Sequence, residues 1–444
     1  MFKNIFNLEL VNLHEFLSRL DDESMFIGSF GHLKGRLKIN CCLLDYCDWG
    51  FGVIIDPCGL YKFFSKFFDN VHVLKLGFNA SINPLNLRID DPYYDIKIIT
   101  DIFRLSFHLG EDSARILQSS LLNLSYKGIF NPTIEDIVLE VESQTRFSRY
   151  PSQVYRLLRF LELMNVGRFG SSFKSSYGFP NDYEGLTIID ISHLPVEFRV
   201  FSSLILIHKL LINSDFMLIE DVDILAPTLN RALREEYAIS FERSMLLYDI
   251  IKNGRDGYIV LSGEDPMGLN SRVRSLLNMV FSPIPRDGIT MENFSRLFLF
   301  DKDFDFSFLN TIPKDCFLIF TDGIIKLANY GREIKFVGEF DIPDELKLSI
   351  PSTPNILKRI FGGKADVAYG ILSFLSEGTM DRDLVIGYAT SVLGVDATEA
   401  KRVLTTFLVN GLITEFMHRD RKYYLKLSPY GLSALDDYSH VGGG

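Results

Sequence analysis

The chain has 444 residues, about three times the ~150 that one domain usually takes, so two or three domains with large cores are expected. Hydrophobic residues make up 47% of the chain and charged residues 23%, which excludes a disordered protein. The net charge of −11 argues against a protein that coats nucleic acid through bulk charge, so any nucleic-acid surface must be local.

Neither the amino terminus nor any apolar stretch has the pattern of an exported or membrane-spanning protein. The first residues lack a basic start followed by an unbroken apolar run. The longest apolar stretch, near 201–212, is well short of the ~20 residues that a bilayer crossing needs. We therefore predict a cytoplasmic protein without a membrane span, which a partner could recruit to a membrane.

The number and spacing of the cysteines are also typical of a cytoplasmic protein. The chain has five cysteines, an odd number, and four of them fall between residues 41 and 58. A metal cluster would need CxxC spacing or a nearby histidine pair, and this stretch has neither. We predict that these cysteines are small buried hydrophobic residues and that they hold no metal ion.

The order of apolar runs and amphipathic helices predicts a parallel sheet with one helical insertion. Short apolar runs alternate with helices before residue 80 and again after residue 185, as in α/β domains. Between about 92 and 180 the pattern is helical throughout. The predicted strands are 24–27, 52–56, 71–76, 186–191, 216–220, 257–261, 296–300 and 317–321, and predicted helices outside the insertion include 34–46, 60–68, 228–252 and 269–279.

A glycine-containing turn follows the first predicted strand. The sequence IGSFGHLKGRLK places Gly28, Gly31 and Lys34 between a strand and a helix, where backbone N–H groups and a lysine can hold phosphates. The spacing matches the G-x-x-x-x-G-K-[ST] phosphate loop at its first glycine and its lysine. Leu33 replaces the second glycine, and Gly35 replaces the hydroxyl residue that would hold magnesium. Taken alone, the turn also fits a tight connection with a solvated lysine.

Five further motifs follow this turn. In order, they are GFGVIIDPCGLY (50–61), INPL (82–85), LTIIDISHLP (186–195), FMLIED (216–221) and NGRDGYIVLSGEDP (253–266). Together with the glycine turn, this order resembles the HerA/FtsK-like family of hexameric DNA-pumping ATPases, which includes the conjugative-transfer ATPases. The resemblance covers about 24–278, more than half of the chain. It implies that residues 1–350 have an α/β fold with a RecA-like P-loop NTPase sheet, and that this sheet carries the helical insertion.

The resemblance implies that the glycine-containing turn after the first predicted strand is a phosphate loop that binds ATP. Gly28, Gly31, Lys34 and Gly35 take positions of that loop. Asp56 matches the acid at the end of the second strand in the family. ATP and magnesium are therefore the cofactors that the resemblance implies.

The resemblance also assigns catalytic roles further along the chain. Glu220 takes the place of the family's magnesium-associated Asp, and Asp221 that of the Glu that polarises the attacking water, so the two acids are exchanged. Arg255 matches an arginine that acts near a neighbouring subunit's phosphates as charge develops. Gly263 stands where the family has a glutamine that senses the γ-phosphate.

Four departures from the family fall on positions that would handle phosphate and metal. They are Leu33, Gly35, the exchanged pair Glu220–Asp221, and Gly263. Phosphoryl transfer depends on electrostatic stabilisation from such groups, so these losses predict a retained fold with weakened or lost ATP hydrolysis. They also argue against binding of ATP and magnesium. Restoring Leu33→Gly with Gly35→Thr is expected to improve nucleotide affinity if the turn keeps the shape of a phosphate loop.

The carboxyl-terminal segment, 351–444, predicts a separate domain. Three helices, at about 365–376, 381–393 and 398–408, precede a β-hairpin, which resembles a winged-helix domain. Lys401 and Arg402 would lie on the helix of this domain that can enter a major groove, and Arg419, Arg421 and Lys422 on the wing that touches backbone phosphates. The segment has ten basic and ten acidic residues, so DNA contact and protein docking both stay open.

Three functional readings follow from these patterns. The preferred one is a structural or partner subunit in DNA translocation or processing, with a degenerate nucleotide site, that forms homo- or hetero-oligomers, for example with an active ATPase paralogue. The second is an active ATP-driven DNA translocase. The third is a regulator that binds DNA through the winged helix.

Overall fold

A computed structural model gives the architecture of the chain. It describes residues 10–11, 13–17, 25–46, 50–68, 70–145, 151–174, 185–228, 237–254, 257–284, 312, 316–321, 324–329, 357, 361, 364–409, 412–417, 422–428, 431–432, 434–435 and 438. The chain divides into two compact units. The first consists of Met1–Lys75, Asp101–His108 and Pro180–Asp341, and the second of Leu76–Thr100, Leu109–Phe179 and Ile342–Gly444. The predicted domain boundary at 350/351 stays a prediction.

A ten-stranded, mostly parallel sheet forms the centre of the first unit. Its strand order is β1-β10-β9-β8-β2-β7-β6-β3-β5-β4, and β9 alone of these strands runs antiparallel to both of its neighbours. The strands are β1 (Leu10–Val11), β2 (Met25–Phe30), β3 (Phe51–Asp56), β4 (Val71–Lys75), β5 (Gly185–Asp190), β6 (Phe216–Ile219), β7 (Tyr258–Gly263), β8 (Met279–Pro283), β9 (Cys316–Thr321) and β10 (Ile324–Asn329).

Helices of the first unit connect these strands. They are α1 (Leu13–Leu17), α2 (Leu33–Tyr46), α8 (Val196–Leu210), α9 (Val222–Leu225), α10 (Tyr237–Lys252) and α11 (Ser271–Arg274), with short 3₁₀ helices at Tyr61–Lys66 and Pro266–Gly268. Phe103 packs edge-on against Phe201 of α8, with ring centroids 4.8 Å apart. The near-continuous apolar runs of the central strands are typical of a sheet that is covered on both faces.

The second unit contains the helical insertion and the carboxyl-terminal segment. The insertion consists of α3 (Pro92–Ser106, which ends in the first unit), α4 (Glu111–Tyr126), α5 (Ile134–Thr145), α6 (Pro151–Leu163) and α7 (Gly167–Phe173). The carboxyl-terminal segment consists of α12 (Ala365–Ser376), β11 (Met380–Asp381), α13 (Arg382–Ser391), α14 (Ala397–Val409), β12 (Ile413–Met417) and β13 (Tyr423–Leu427). Its three strands form an antiparallel sheet in the order β11-β13-β12.

Two predicted helices are wrong. The predicted helix at 269–279 is a single turn followed by a strand, because Asn270 caps α11 and Met279 then pairs with Ile27 of β2. Pairing with the central sheet outweighs the helical spacing of the apolar residues in this segment. The predicted helix at 60–68 is a six-residue 3₁₀ helix. Strand β10 was not predicted, and the predicted strand at 296–300 lies outside the described residues.

Among the described helices, none combines the length and the apolar character that a bilayer crossing would require. In the same part of the chain, no three His, Cys, Asp or Glu side chains converge as a metal site would need. Cys41 and Cys42 are buried in α2, Cys316 is buried in β9, and Cys47 lies outside the described residues.

Candidate functional site

Five parallel strands of the first unit end at one edge of the sheet. The pairs β2–β7, β7–β6, β6–β3 and β3–β5 are all parallel, so their carboxyl ends lie side by side. The residues at or directly after these ends include Gly31, Asp56, Asp190, Glu220 and Gly263. Ligands of open parallel sheets bind at this edge, which makes it the candidate site.

The connection from β2 to α2 is only two residues long. Gly31 and His32 alone separate the strand from the helix. Gly31 has a φ of +138°, a conformation that is strained for any residue with a Cβ atom. Gly28 lies inside β2, whereas Lys34 and Gly35 lie in the first turn of α2. The predicted phosphate-loop residues therefore do not share one wide loop.

The side chain of Pro283 covers this turn. A Cβ atom placed on Gly31 would lie 2.5 Å from Pro283 Cγ, and one placed on Gly35 would lie 2.4 Å from Pro283 Cβ. Carbon atoms in van der Waals contact are about 3.5–4 Å apart, so the proline ring already touches both glycines. The last residue of β8 thus closes the space beside the turn.

Arg36 of α2 binds the acid at the end of β6. Its Nε and Nη2 atoms donate to Glu220 Oε1 at 2.8 and 2.5 Å. Its Nη1 atom donates to the carbonyl oxygen of Gly31 at 3.2 Å. Arg36 is 6% exposed and Glu220 is 1% exposed, so the ion pair is almost completely removed from water.

Tyr61 binds the second oxygen of the same carboxylate. Its hydroxyl donates to Glu220 Oε2, and it accepts a hydrogen bond from Asn40 Nδ2 at 2.7 Å. Asn40 Nδ2 also lies 3.1 Å from Ser262 Oγ, and all of these side chains are buried. Both oxygens of Glu220 are therefore occupied by donors from the protein itself.

Asp221 lies directly beside this network. Its backbone is left-handed, with φ +52° and ψ +41°. Its Oδ1 atom accepts from Arg36 Nη2 at 3.2 Å, and its Oδ2 atom accepts from the Cys58 thiol at 2.7 Å. Burial and the bond to Asp221 raise the pKa of the Cys58 thiol, so this cysteine stays protonated.

Burial and charge oppose each other within the Arg36–Glu220 pair. Burial raises the pKa of Glu220, while the neighbouring Arg36 and the hydrogen bonds from Ser262 and Tyr61 act against that rise. Burial disfavours the charged guanidinium, but the charge and hydrogen bond of Glu220, together with Tyr61 and Asp221, raise the pKa of Arg36. Burial and the nearby carboxylate also raise the pKa of Tyr61 well above its usual range. Each partner therefore favours the charged form of the other, against the effect of burial.

Asp56, at the end of β3, is a fully buried acid in the same cluster. Its oxygens accept the backbone N–H groups of Cys58 at 3.1 Å and Tyr61 at 2.8 Å. Burial is the largest influence and, together with the charges of Asp190 and Glu220, it raises the pKa of Asp56 to about 7. This carboxyl group therefore shapes the turn that holds Tyr61 and titrates near neutral pH.

The raised pKa of Asp56 predicts a pH-dependent stability. Between the ordinary value of 3.8 and about 7, the folded chain keeps a proton on Asp56 that the unfolded chain releases, so stability falls as pH rises. Relative to Asp56→Asn, the wild-type chain should lose about 1 kcal/mol per pH unit between about pH 5 and 6.5. Urea unfolding of both chains across this range measures the difference. A difference that stays constant with pH would contradict the raised pKa.

The fold matches that of a solved protein. The structure of VirB4 of Thermoanaerobacter pseudethanolicus aligns with a TM-score of 0.55 at 14% sequence identity, over 72% of this chain and 92% of that chain. This chain has a RecA-like α/β fold. No protein-family model matches the sequence, and no curated protein matches it in a sequence search. The RecA-like sheet that the motif order implies is thus confirmed by structural similarity rather than by sequence similarity.

The RecA-like sheet brings some of the predicted site residues together. Glu220 and Asp221 lie beside the first turn of α2, because Arg36 contacts both of them. Lys34 is exposed on that turn. Gly263 ends β7, and Arg255 lies outside the described residues.

The predicted DNA-binding residues belong to the second unit. Lys401 and Arg402 are exposed on α14. Lys422 is exposed before β13, and its Nζ atom lies 3.3 Å from Asp381 Oδ2. Arg419 and Arg421 lie outside the described residues.

The sequence analysis did not predict the buried side chains that bind Glu220 and its neighbours at the carboxyl edge of the sheet. Arg36, Asn40 and Tyr61 have no counterpart among the predicted site residues, although each is buried against Glu220 or its hydrogen-bond partners. One signal was available, because Arg36 and Asn40 are four residues apart and lie on the apolar face of α2. Two polar residues in that position indicate a buried polar network.

Proposed function

We propose that this chain is a HerA/FtsK-like ATPase-fold protein that serves DNA translocation or processing as a structural or partner subunit, with weak or lost ATP hydrolysis. One observation carries the proposal. The guanidinium of Arg36 binds Glu220, the acid at the magnesium-associated position, at 2.5 and 2.8 Å. A positive charge from the protein is therefore already present where the family needs a metal ion.

The shape of the first turn supports weak or absent phosphate binding. A phosphate cradle needs several backbone N–H groups that point into one open concavity. Here two residues join β2 to α2, and Pro283 packs against both Gly31 and Gly35. The ring occupies the space directly beside both glycines and so narrows any concavity there.

The chemistry of the acids does not fit magnesium. Magnesium requires a nearly octahedral set of oxygen ligands at about 2.0–2.1 Å. Gly35 offers no hydroxyl group, and both carboxylate oxygens of Glu220 accept hydrogen bonds from Arg36 or Tyr61. ATP with magnesium is therefore not a cofactor of this chain in our proposal.

The second acid does not fit the role of a base toward water. Each oxygen of Asp221 already accepts a hydrogen bond, one from Arg36 and one from Cys58. A carboxylate that orients the attacking water must direct a lone pair at that water, whereas these bonds hold both oxygens of Asp221 against protein donors. The contacts of Asp221 thus support a structural role at this edge.

Partners and location follow from the same proposal. VirB4 shares the fold, and the motif order resembles the conjugative-transfer ATPases, so we propose that this chain acts in homo- or hetero-oligomers beside an active ATPase paralogue. DNA is the proposed substrate of that assembly. The chain would be cytoplasmic and reach the membrane through a partner.

A winged-helix domain at the carboxyl terminus is part of the proposal. The order α12-β11-α13-α14-β12-β13, with a three-stranded antiparallel sheet, supports this fold for the segment. Lys401 and Arg402 on exposed positions of α14 would contact DNA, with Arg419, Arg421 and Lys422 on the wing. A DNA-binding regulator is the second candidate function, favoured by this exposed basic pair.

Turnover of ATP by the full chain tests the proposal. With magnesium and double-stranded DNA, we expect no hydrolysis above the level of a Lys34→Ala variant, because Lys34 is exposed and no phosphate cradle surrounds it. The active-translocase reading requires the opposite result, a DNA-stimulated turnover that Lys34→Ala abolishes. That result would overturn the proposal.

A further inference from the structure

A small pocket lies beside α8 at the carboxyl edge of the sheet. It is lined by side chains of α8 and α9 and by the segment that follows β3, among them Val196, Arg199 and Ile224. Strands β2 and β3 are connected through α2, and β5 and β6 through α8, in opposite directions along the sheet order. Because such parallel connections are right-handed, α2 and α8 cover opposite faces of the sheet. The pocket therefore lies on the opposite face from the turn that Pro283 covers.

Arg199 has fewer partners than its burial requires. Its Nη1 atom donates to the carbonyl oxygen of Pro57 at 3.2 Å. Its Nε atom is buried and donates to no acceptor in the described part of the chain. No carboxylate of the residues that the structure describes forms an ion pair with Arg199, whereas Arg36 and Arg88 bind acids at 2.5 and 3.1 Å. A buried N–H donor without an acceptor is costly, so a ligand that supplies an acceptor is favoured here.

The pocket is shallow and has an apolar mouth. With its mouth, the space measures about 250 Å³, but only about 10 Å³ of it admits the centre of a water-sized group. Such a space takes the end of a ligand and leaves the rest of the ligand at the mouth. Val196 and Ile224 are 46% and 37% exposed, and the lining also includes the buried side chains of Val200 and Leu225. A ligand with a polar end and a short apolar body therefore fits the pocket.

The charges around the pocket favour a ligand with a single negative charge. Glu220 and Asp221 also line the pocket, but Arg36 binds both of them. Arg199 adds a positive charge that no acid of the described residues pairs with. A phosphate dianion would meet stronger repulsion from the two acids than a carboxylate would. The planar N–H fork of arginine also matches the two oxygens of a carboxylate.

We propose that this pocket binds a carboxylate group on a short aliphatic chain. The guanidinium of Arg199 holds the carboxylate, and Val196 and Ile224 contact the aliphatic chain. A free aliphatic acid and an acidic side chain of a protein partner present the same chemical group to the pocket. Binding here requires no nucleotide, so it does not depend on the proposed function.

Binding of butyrate to the full wild-type chain tests the site. Butyrate carries one carboxylate on a short chain, and butyramide has nearly the same shape without the charge. In saturation-transfer NMR at constant ionic strength, butyrate should bind with a dissociation constant of about 1 mM, and butyramide about tenfold more weakly or less. This comparison needs no substitution, so it stands even where a variant fails to fold. A chain that does not bind butyrate at about 50 mM, or that binds butyramide equally well, overturns the proposal.

Matched arginine substitutions show whether Arg199 holds the carboxylate. Arg199→Met removes the guanidinium but keeps an unbranched side chain, and it should weaken butyrate binding by about tenfold or more. Arg115→Met changes an exposed arginine on α4 and should leave the affinity unchanged. Ile224→Ala shortens the apolar mouth and should weaken butyrate binding about threefold without changing the affinity for acetate. Equal affinities of the Arg199 and Arg115 variants for butyrate would overturn the proposal.

A peptide distinguishes the two sources of the carboxylate. Acetyl-Leu-Glu-Leu-amide presents the group from a peptide backbone, with apolar side chains that can cover the exposed Val196 and Ile224. We expect this peptide to bind more tightly than butyrate, and about tenfold more tightly than acetyl-Leu-Gln-Leu-amide, which would indicate an acidic side chain of a protein partner. Tighter binding of butyrate than of the glutamate peptide would instead assign the pocket to free aliphatic acids.

Discussion

Replacing Arg36 with alanine should destabilise the folded chain by about 3–5 kcal/mol, because it leaves Glu220 buried and charged without its partner. The same change also removes the bond that ties α2 to the carbonyl of Gly31. Urea unfolding followed by far-UV circular dichroism measures the loss. The free energy of unfolding is the quantity to compare, at a pH where Glu220 would be ionised.

A matched basic residue provides the control for this prediction. Lys34 lies two residues before Arg36 on the same helix, but it is exposed, so Lys34→Ala should change stability by no more than about 0.5 kcal/mol. Replacing the ion pair by Arg36→Met with Glu220→Leu should recover most of the loss, because neither charge of the pair is then left without its partner. Equal effects of Arg36→Ala and Lys34→Ala would contradict the buried pair.

Restoring the hydroxyl residue of the phosphate-loop motif should damage this protein. Gly35→Thr places a Cβ atom about where Pro283 lies, at 2.4 Å from its Cβ and 2.6 Å from its Cγ. The proline ring is rigid and ends a central strand, so the overlap should cost about 1–3 kcal/mol. The pair Leu33→Gly/Gly35→Thr should likewise give no nucleotide affinity, because the two-residue turn does not have the shape of a phosphate loop.

Two further variants separate this overlap from a general effect of replacing glycine. Gly387 lies in α13 with open space where a Cβ would be, so Gly387→Ala should be neutral or slightly stabilising. Pro283→Gly should reduce the cost of Gly35→Thr, because it removes both Cβ and Cγ, the two ring carbons that the new Cβ atom meets. A Gly35→Thr chain as stable as the wild type would show that Pro283 does not cover the turn.

The sequence contains enough information for the sheet of the first unit. Long apolar runs such as 52–56 and 186–191 predict buried parallel strands, and their neighbours in the sheet confirm it. The positions of Glu220 and Asp221 at a strand end were also predictable, because an acidic pair follows the apolar run of β6. These features depend on short stretches of sequence, so the spacing of apolar and acidic residues along the chain is enough to predict them.

Local sequence patterns could not predict that Pro283 covers the turn or that Arg36 and Tyr61 bind Glu220. Pro283 reaches the turn only because β8 pairs with β2, and the sequence around 269–279 favours a helix by its spacing. The donors to Glu220 come from α2 and from the 3₁₀ helix after β3, segments that are far apart along the chain. Only the assembled sheet brings Arg36 and Tyr61 to one carboxylate.

An experimental structure of the full chain, determined with a saturating concentration of a non-hydrolysable ATP analogue and magnesium, would show whether the protein's own side chains occupy the nucleotide site. We expect that Arg36 stays bound to Glu220, that Pro283 stays packed on Gly31 and Gly35, and that no phosphate lies at the turn. Phosphates bound between Gly28 and Lys34, with Arg36 withdrawn from Glu220 and a magnesium ion in its place, would contradict it.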